Sequence, residues 1–241
     1  MVDFKELYLE IISKFTEIKD ETNDKYLKKI EEKLGTTLPK ALREYYLIED
    51  QIPIEQEFYP EIYITEVHFD GPDYDEDVVK ELIEEVGEEE IKNYPNVLIV
   101  AEHTQGSVFW AIDVKNLKEE DPPILCDETR GGFWEWERTG FKCSEFICFM
   151  LYYNYEYLDT REIFLANAQH PINKKMITRI EDNYPLLYDY YDCKVYAKDG
   201  QVLKYFDNGH LRVTAKTEKD KVDLCQKLDA KWENDSLIFN D

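Results

Sequence analysis

Lys29-Ile30-Glu31-Glu32-Lys33-Leu34-Gly35-Thr36-Thr37-Leu38-Pro39-Lys40-Ala41-Leu42-Arg43-Glu44-Tyr45-Tyr46 reads as two helices joined by a short elbow. Gly35 stands where a residue of left-handed conformation ends a helix, so the first of the two is expected over about residues 24–34. Leu38-Pro39 opens the second, with Thr37 or Leu38 near its cap. Proline suits the first helical turn because its missing N–H would have no intrahelical acceptor there. That helix should run through Leu42, Tyr45 and Tyr46 to about Ile48. Towards the N-terminus, Phe4, Leu7, Tyr8, Ile11, Ile12, Phe15 and Ile18 follow the i, i+3, i+4, i+7 spacing. This predicts an amphipathic helix over residues 3–19 that covers one face of a core.

On the C-terminal side of the elbow the period changes. Residues 61–69 approximately alternate polar and apolar side chains, as a strand with one wet face does. Val78, Val79, Leu82, Ile83 and Val86 return to helical spacing and stop at Gly87. Residues 97–101 and 108–114 read as a hairpin, and residues 123–126 and 133–137 add two strands to a meander of about five. Ser144 is placed to cap a last helix from Glu145 to about Leu158, whose run Phe146-Ile147-Cys148-Phe149-Met150-Leu151 requires burial on several sides. Beyond residue 160 come strands at 193–197, 202–206 and 211–215, a helix at 218–228 and an edge strand near 236–239. The turns between those strands contain Asp199-Gly200 and Asn208-Gly209, strong hairpin signals. The expected fold class is α+β: an antiparallel sheet flanked by helices over residues 1–160, and a β-β-β-α-β annex over 161–241.

Charge divides the chain in the same place. Of 241 residues, 53 are Asp or Glu and 29 are Lys or Arg, a formal charge of −24. Residues 1–160 carry net −23 and residues 161–241 net −1; within the first part, residues 49–90 hold 17 acids and one base, Lys80. Such a field repels phosphate backbones and anionic headgroups, so neither nucleic acid nor a membrane surface is expected as a partner. The run Phe146 to Tyr155, ten residues without a charge, is about half of the ~20 a bilayer span needs. The first residues have no basic region followed by an apolar core, so the cytoplasm is expected. Five cysteines, an odd number with no C-x-x-C pair, read as reduced, mostly buried thiols.

No phosphate-binding glycine loop, dinucleotide fingerprint, H-E-x-x-H or G-x-S-x-G is present, and the four histidines, His68, His103, His170 and His210, are scattered. Neither a metal nor a cofactor is expected. The run Asp70-Gly71-Pro72-Asp73-Tyr74-Asp75-Glu76-Asp77 suggests calcium, but it lacks the twelve-residue ligand spacing. It reads instead as a solvated loop that caps the following helix with negative charge, as a partner-binding loop, or as both. In Phe133-Trp134-Glu135-Trp136-Glu137 the alternation puts both Trp on one strand face and the acids on the other.

The elbow, taken with the hairpin of residues 97–114 ahead of Pro122-Pro123-Ile124 and with Ser144-Glu145-Phe146-Ile147, resembles the SUKH superfamily, relatives of the fungal Smi/Knr cell-wall regulators. The resemblance covers about residues 3–158; the family usually ends soon after the closing helix, so the annex is a departure. It implies a non-catalytic α+β domain, most often an immunity protein that binds and neutralises a toxin, frequently a nuclease. A nuclease cleft is positive because it binds phosphate, and an acidic protein can occupy it. The expected partner is therefore a basic protein toxin, and a monomer is favoured. The expected partner-binding residues are Asp70, Asp73, Asp75, Glu76, Asp77, Glu84, Glu85, Glu102, Glu135 and Glu137. The alternatives are a non-catalytic regulatory or scaffold module and an enzyme with an unrecognised carboxylate site.

Overall fold

Four residues on a helical period, Phe4, Tyr8, Ile11 and Ile12, are all buried, and they define the inner stripe of α1 (Phe4–Ser13). The computed structural model describes residues 3–14, 24, 27–28, 31–32, 35–48, 58–59, 63–65, 84, 87, 96–103, 108–128, 136–153, 164–167, 172–190 and 193–228. Within them the backbone forms two compact units. One comprises Met1–Lys5, Glu21–Asp50 and Gln56–Ile147; the other comprises Glu6–Asp20, Gln51–Glu55 and Cys148–Asp241. The boundary expected at residue 160 was placed by charge, whereas compactness divides the chain at residue 147 and takes Glu6–Asp20 out of the first unit.

In the first unit the elbow forms as its sequence requires. Gly35 has φ of +65°, the left-handed conformation that ends a helix. Leu38 is buried, and its N–H donates to Glu31 Oε1 at 2.9 Å. The same Glu31 oxygen meets Arg43 Nη1 at 3.3 Å, so one carboxylate staples both sides of the elbow. Helix α2 (Lys40–Tyr46) begins one residue later than expected, with Pro39 as its N-cap. Because proline offers no capping side chain, other groups meet the first turn: the Ala41 N–H donates to the Glu120 carbonyl at 2.9 Å. Ala41, Leu42, Tyr45 and Tyr46 form its buried face.

The sheet of this unit comprises β1 (Phe58–Tyr59), β2 (Tyr63–Thr65), β3 (Val97–His103), β4 (Phe109–Asp113), β5 (Pro123–Asp127) and β6 (Glu137–Lys142), with β3 to β6 as an antiparallel meander. Strands β1 and β2 both pair with β3. All five residues of β4 are buried, so the sheet is covered on both faces here. On one face Trp110 lies 5.5 Å from Phe146; on the other Val97, Ile99, Phe109 and Ala111 form a cluster with Leu125 and Trp136. Strand β6 begins at Glu137, later than the expected strand, whose residues 133–135 lie outside the described residues. Of the helix expected to end at Gly87, Glu84 is helical and Gly87 has φ of +89°.

Helix α3 (Cys143–Tyr153) starts one residue before Ser144, so Ser144 is not its cap. Asp121 does that work: Oδ1 accepts the Ser144 N–H at 2.8 Å and Oδ2 accepts the Ser144 hydroxyl at 2.7 Å. A carboxylate beside the first helical N–H groups also suits the positive end of the helix dipole.

The second unit is built on a five-stranded antiparallel sheet of β7 (Phe164–Asn167), β8 (Leu186–Tyr190), β9 (Cys193–Lys198), β10 (Gln201–Phe206) and β11 (Leu211–Ala215), in the order β7-β11-β10-β9-β8. The β9–β10 turn has Asp199 at φ +52° and Gly200 at φ +76°, the two left-handed residues of a type I′ hairpin. Helix α4 (Lys174–Asn183) is capped by Asn173, whose Oδ1 accepts the Met176 N–H at 3.0 Å. Thr217 caps the start of α5 (Glu218–Leu228): its Oγ1 accepts the Asp220 N–H at 3.1 Å and its hydroxyl donates to Asp220 Oδ2 at 2.6 Å. Met176 and Ile180 of α4 and Leu224, Cys225 and Leu228 of α5 join Tyr196, Leu203, Leu211 and Val213 in one core. Phe149 of α3 sits 5.6 Å from Tyr188 and 5.4 Å from Tyr190. Lys204, 1% exposed, donates from Nζ to the Tyr153 carbonyl at 2.7 Å, giving the C-terminal end of α3 a cation. Strand β7, helix α4 and strand β8 were not expected from sequence; the edge strand expected near 236–239 lies outside the described residues.

Candidate partner-binding surface

The register of the meander brings acids from distant sequence positions to one end of the first sheet. Glu102 of β3 pairs with Phe109 of β4, Phe109 pairs with Asp127 of β5, and Glu137 of β6 pairs with Cys126 beside it. At about 4.8 Å per ladder, the Glu102 and Glu137 backbones stand about 14 Å apart. Glu128 follows Asp127 at the same end and is exposed, as Glu137 is, while Asp127 is fully buried. Asp127 and Glu128 were not among the expected site residues. The signal that finds them is strand register, because neither belongs to an acidic run.

Of the expected residues, Glu84 is exposed, Glu102 lies in β3 and Glu137 opens β6. Asp70, Asp73, Asp75, Glu76, Asp77, Glu85 and Glu135 lie outside the described residues. The alternation around Trp136 holds for the part described. Trp136 is partly buried against the Val97–Ile99–Phe109–Ala111 cluster, and Glu137 is exposed.

On one face of the sheet a groove of about 260 Å³ is lined by Leu125 and Trp136 together with the charged Asp113, Lys115 and Arg138. Asp113 is held in place twice: Oδ1 accepts the Lys115 N–H at 3.0 Å, and Oδ2 pairs with Lys115 Nζ.

Chemistry that would serve catalysis is sparse among the described residues. No group of three or more His, Cys, Asp or Glu could hold a metal ion there. The five cysteines are free and buried, and burial pushes the Cys225 thiol up to about 11, which leaves it protonated at neutral pH. No helix among the described residues is long and apolar enough to cross a membrane.

A helix–elbow–helix followed by an antiparallel meander and a closing helix defines an α+β domain of the Smi/Knr type. The chain belongs to the SMI1 / KNR4 family (SUKH-1), whose model matches residues 21–142. That stretch includes the elbow, the meander and the acidic tract. No curated protein and no solved structure gives a significant match to the chain.

Proposed function

We propose that this protein is an immunity-type binding protein of the cytoplasm, which neutralises a basic, nuclease-like toxin through the acidic surface of its SUKH domain. The observation that carries this is the location of the charge. The 17 acids against one base at residues 49–90 lie inside the stretch that matches the family, while residues 161–241 are nearly neutral. Excess charge of one sign raises the free energy of the folded state by self-repulsion, and a basic partner relieves it. The exposed Glu128 and Glu137 at one end of the sheet extend the same polarity. In this reading Asp73, Asp75, Glu76 and Asp77 steer encounter, and desolvated pairs hold the complex. The protein acts by occupying the toxin stoichiometrically and catalyses no reaction.

The test is co-expression with candidate basic protein toxins. Growth rescue by the wild type, together with a one-to-one complex on gel filtration, is the expected result. Rescue that persists at substoichiometric amounts, or a target that is not a basic protein, overturns the proposal.

A further inference from the structure

In the second unit, α4, the end of β9 and α5 each place one cation at the same cleft. Its volume is about 370 Å³, and Arg179, Tyr184, Lys198, Asp199, Gln201 and Lys227 are among its walls. Among the described residues, three cations therefore face one carboxylate in a chain whose acids outnumber its bases by 53 to 29. Part of this charge has a local cause. Arg179 Nη1 donates to the Leu228 carbonyl at 3.1 Å, which satisfies an acceptor left open at the end of α5. Both helices direct their C-termini at the cleft and together contribute about one negative charge. Among the described residues, these ends with three cations and Asp199 leave the cleft positive by roughly one charge. Lys198 ends strand β9 and has no helix end to neutralise, and neither Lys198 nor Lys227 enters an ion pair among the described residues.

The neutral groups between the cations are fixed. The Tyr184 hydroxyl donates to Gln201 Oε1 at 2.8 Å, and Asn183 Nδ2 donates to the Arg179 carbonyl at 2.7 Å. Burial, with Asp199 nearby, pushes the Tyr184 hydroxyl upward in pKa, so it remains a neutral donor. The volume falls in the range of small-molecule sites and exceeds that of a bare inorganic ion. At physiological salt the screening length is about 8 Å, so acids elsewhere in the chain do little to repel an anion here.

We propose that this cleft binds a small organic molecule through a single oxyanion group, a carboxylate or a phosphate monoester, held between Lys198 and Lys227. Tyr184 and Gln201 receive its polar body. A net positive charge of about one suits one such group and disfavours a polyphosphate.

The test uses the intact chain with sodium phosphate and sodium acetate as separate probes, titrated at an ionic strength held constant with sodium chloride. Backbone amide NMR shifts at Lys198, Asp199 and Lys227 are the readout. The expected result is a saturable shift with at least one probe, and the responding probe names the head group. The Lys198→Gln/Lys227→Gln variant should weaken that response at least tenfold, while Lys219→Gln, an exposed change on α5 outside the cleft, leaves it unaltered. Both cleft lysines are exposed, so the double variant keeps the fold, which circular dichroism verifies. Shifts that never saturate, or an affinity unchanged in the double variant, mean an adventitious ion only and overturn the proposal.

Discussion

Asp121→Ala removes the carboxylate that joins the β4–β5 connection to the start of α3, and its cost follows from the bonds it breaks. Asp121 accepts the Ser144 N–H at 2.8 Å and the Ser144 hydroxyl at 2.7 Å. Losing a side-chain acceptor at a helix N-terminus costs about 1 kcal/mol. The charge itself interacts with the helix dipole for about 0.5 kcal/mol more. Ser144 is only 6% exposed, so its hydroxyl is left poorly solvated at a further cost of about 1 kcal/mol. Together these give about 2.5 kcal/mol, or about 5–10 °C in Tm for a chain of this length. Ser144→Ala removes only the hydroxyl bond and should cost about 1 kcal/mol. Urea unfolding of the intact chain, followed by Trp fluorescence, is the assay, because Trp110 rests 5.5 Å from Phe146 of α3 and reports its release. Adding Ser144→Ala to Asp121→Ala should cost little more, since the hydroxyl has already lost its acceptor. An Asp121→Ala stability within about 0.5 kcal/mol of wild type, less than a typical cap is worth, refutes this account of the junction.

Three other outcomes are expected. Gly200→Ala should lose about 1 kcal/mol in thermal unfolding; its new Cβ would meet only the Lys14 carbonyl at 3.5 Å, so the cost is that of φ at +76°, and an equally stable variant contradicts it. The pKa of the Cys225 thiol rises from 9.0 to about 11, chiefly through burial, so the folded state keeps a proton that the unfolded state has lost. That stability is complete below pH 9 and disappears as pH rises to about 11; the raised tyrosines Tyr184 and Tyr196 act in the same direction above pH 10, and Cys225→Ala should flatten the urea-midpoint profile between pH 9 and 11. A chain cut at residue 160 loses Tyr188, Tyr190 and Phe206, the ring partners of Phe149 and Tyr153, and should show no cooperative melt, whereas a soluble fragment with a sharp transition supports a boundary at 160.

The parts of this fold that were legible in the sequence are those whose causes are local. The elbow depends on Gly35 and Pro39 and formed within a residue of its expected place. Hairpin β9–β10–β11 depends on Asp199-Gly200 and Asn208-Gly209 and likewise matched. What escaped has weak or distant causes. Helix α4 buries only Met176 and Ile180 of its ten residues, so its apolar stripe is too thin to stand out. In β8 a bulge at Leu187 and two adjacent exposed leucines break the period of two. The cap of α3 comes from Asp121, 23 residues before Ser144, where no helix-start pattern extends. The candidate surface divides the same way: the acidic tract is visible as composition, but the placing of Glu128 and Glu137 on neighbouring strands at one sheet end depends on register.

The acidic tract is the central element of the proposed partner surface, and association kinetics test it directly. Wild type and a variant with Asp73, Asp75, Glu76 and Asp77 changed to Asn or Gln are mixed with the purified toxin at low and high salt. Rim charges chiefly accelerate encounter, and salt screens them. The wild type should associate faster at low salt, and the variant should be slower there and much less sensitive to salt. Association rates that are the same for both proteins at both salt concentrations would contradict the claim and return this loop to the role of a solvated helix cap.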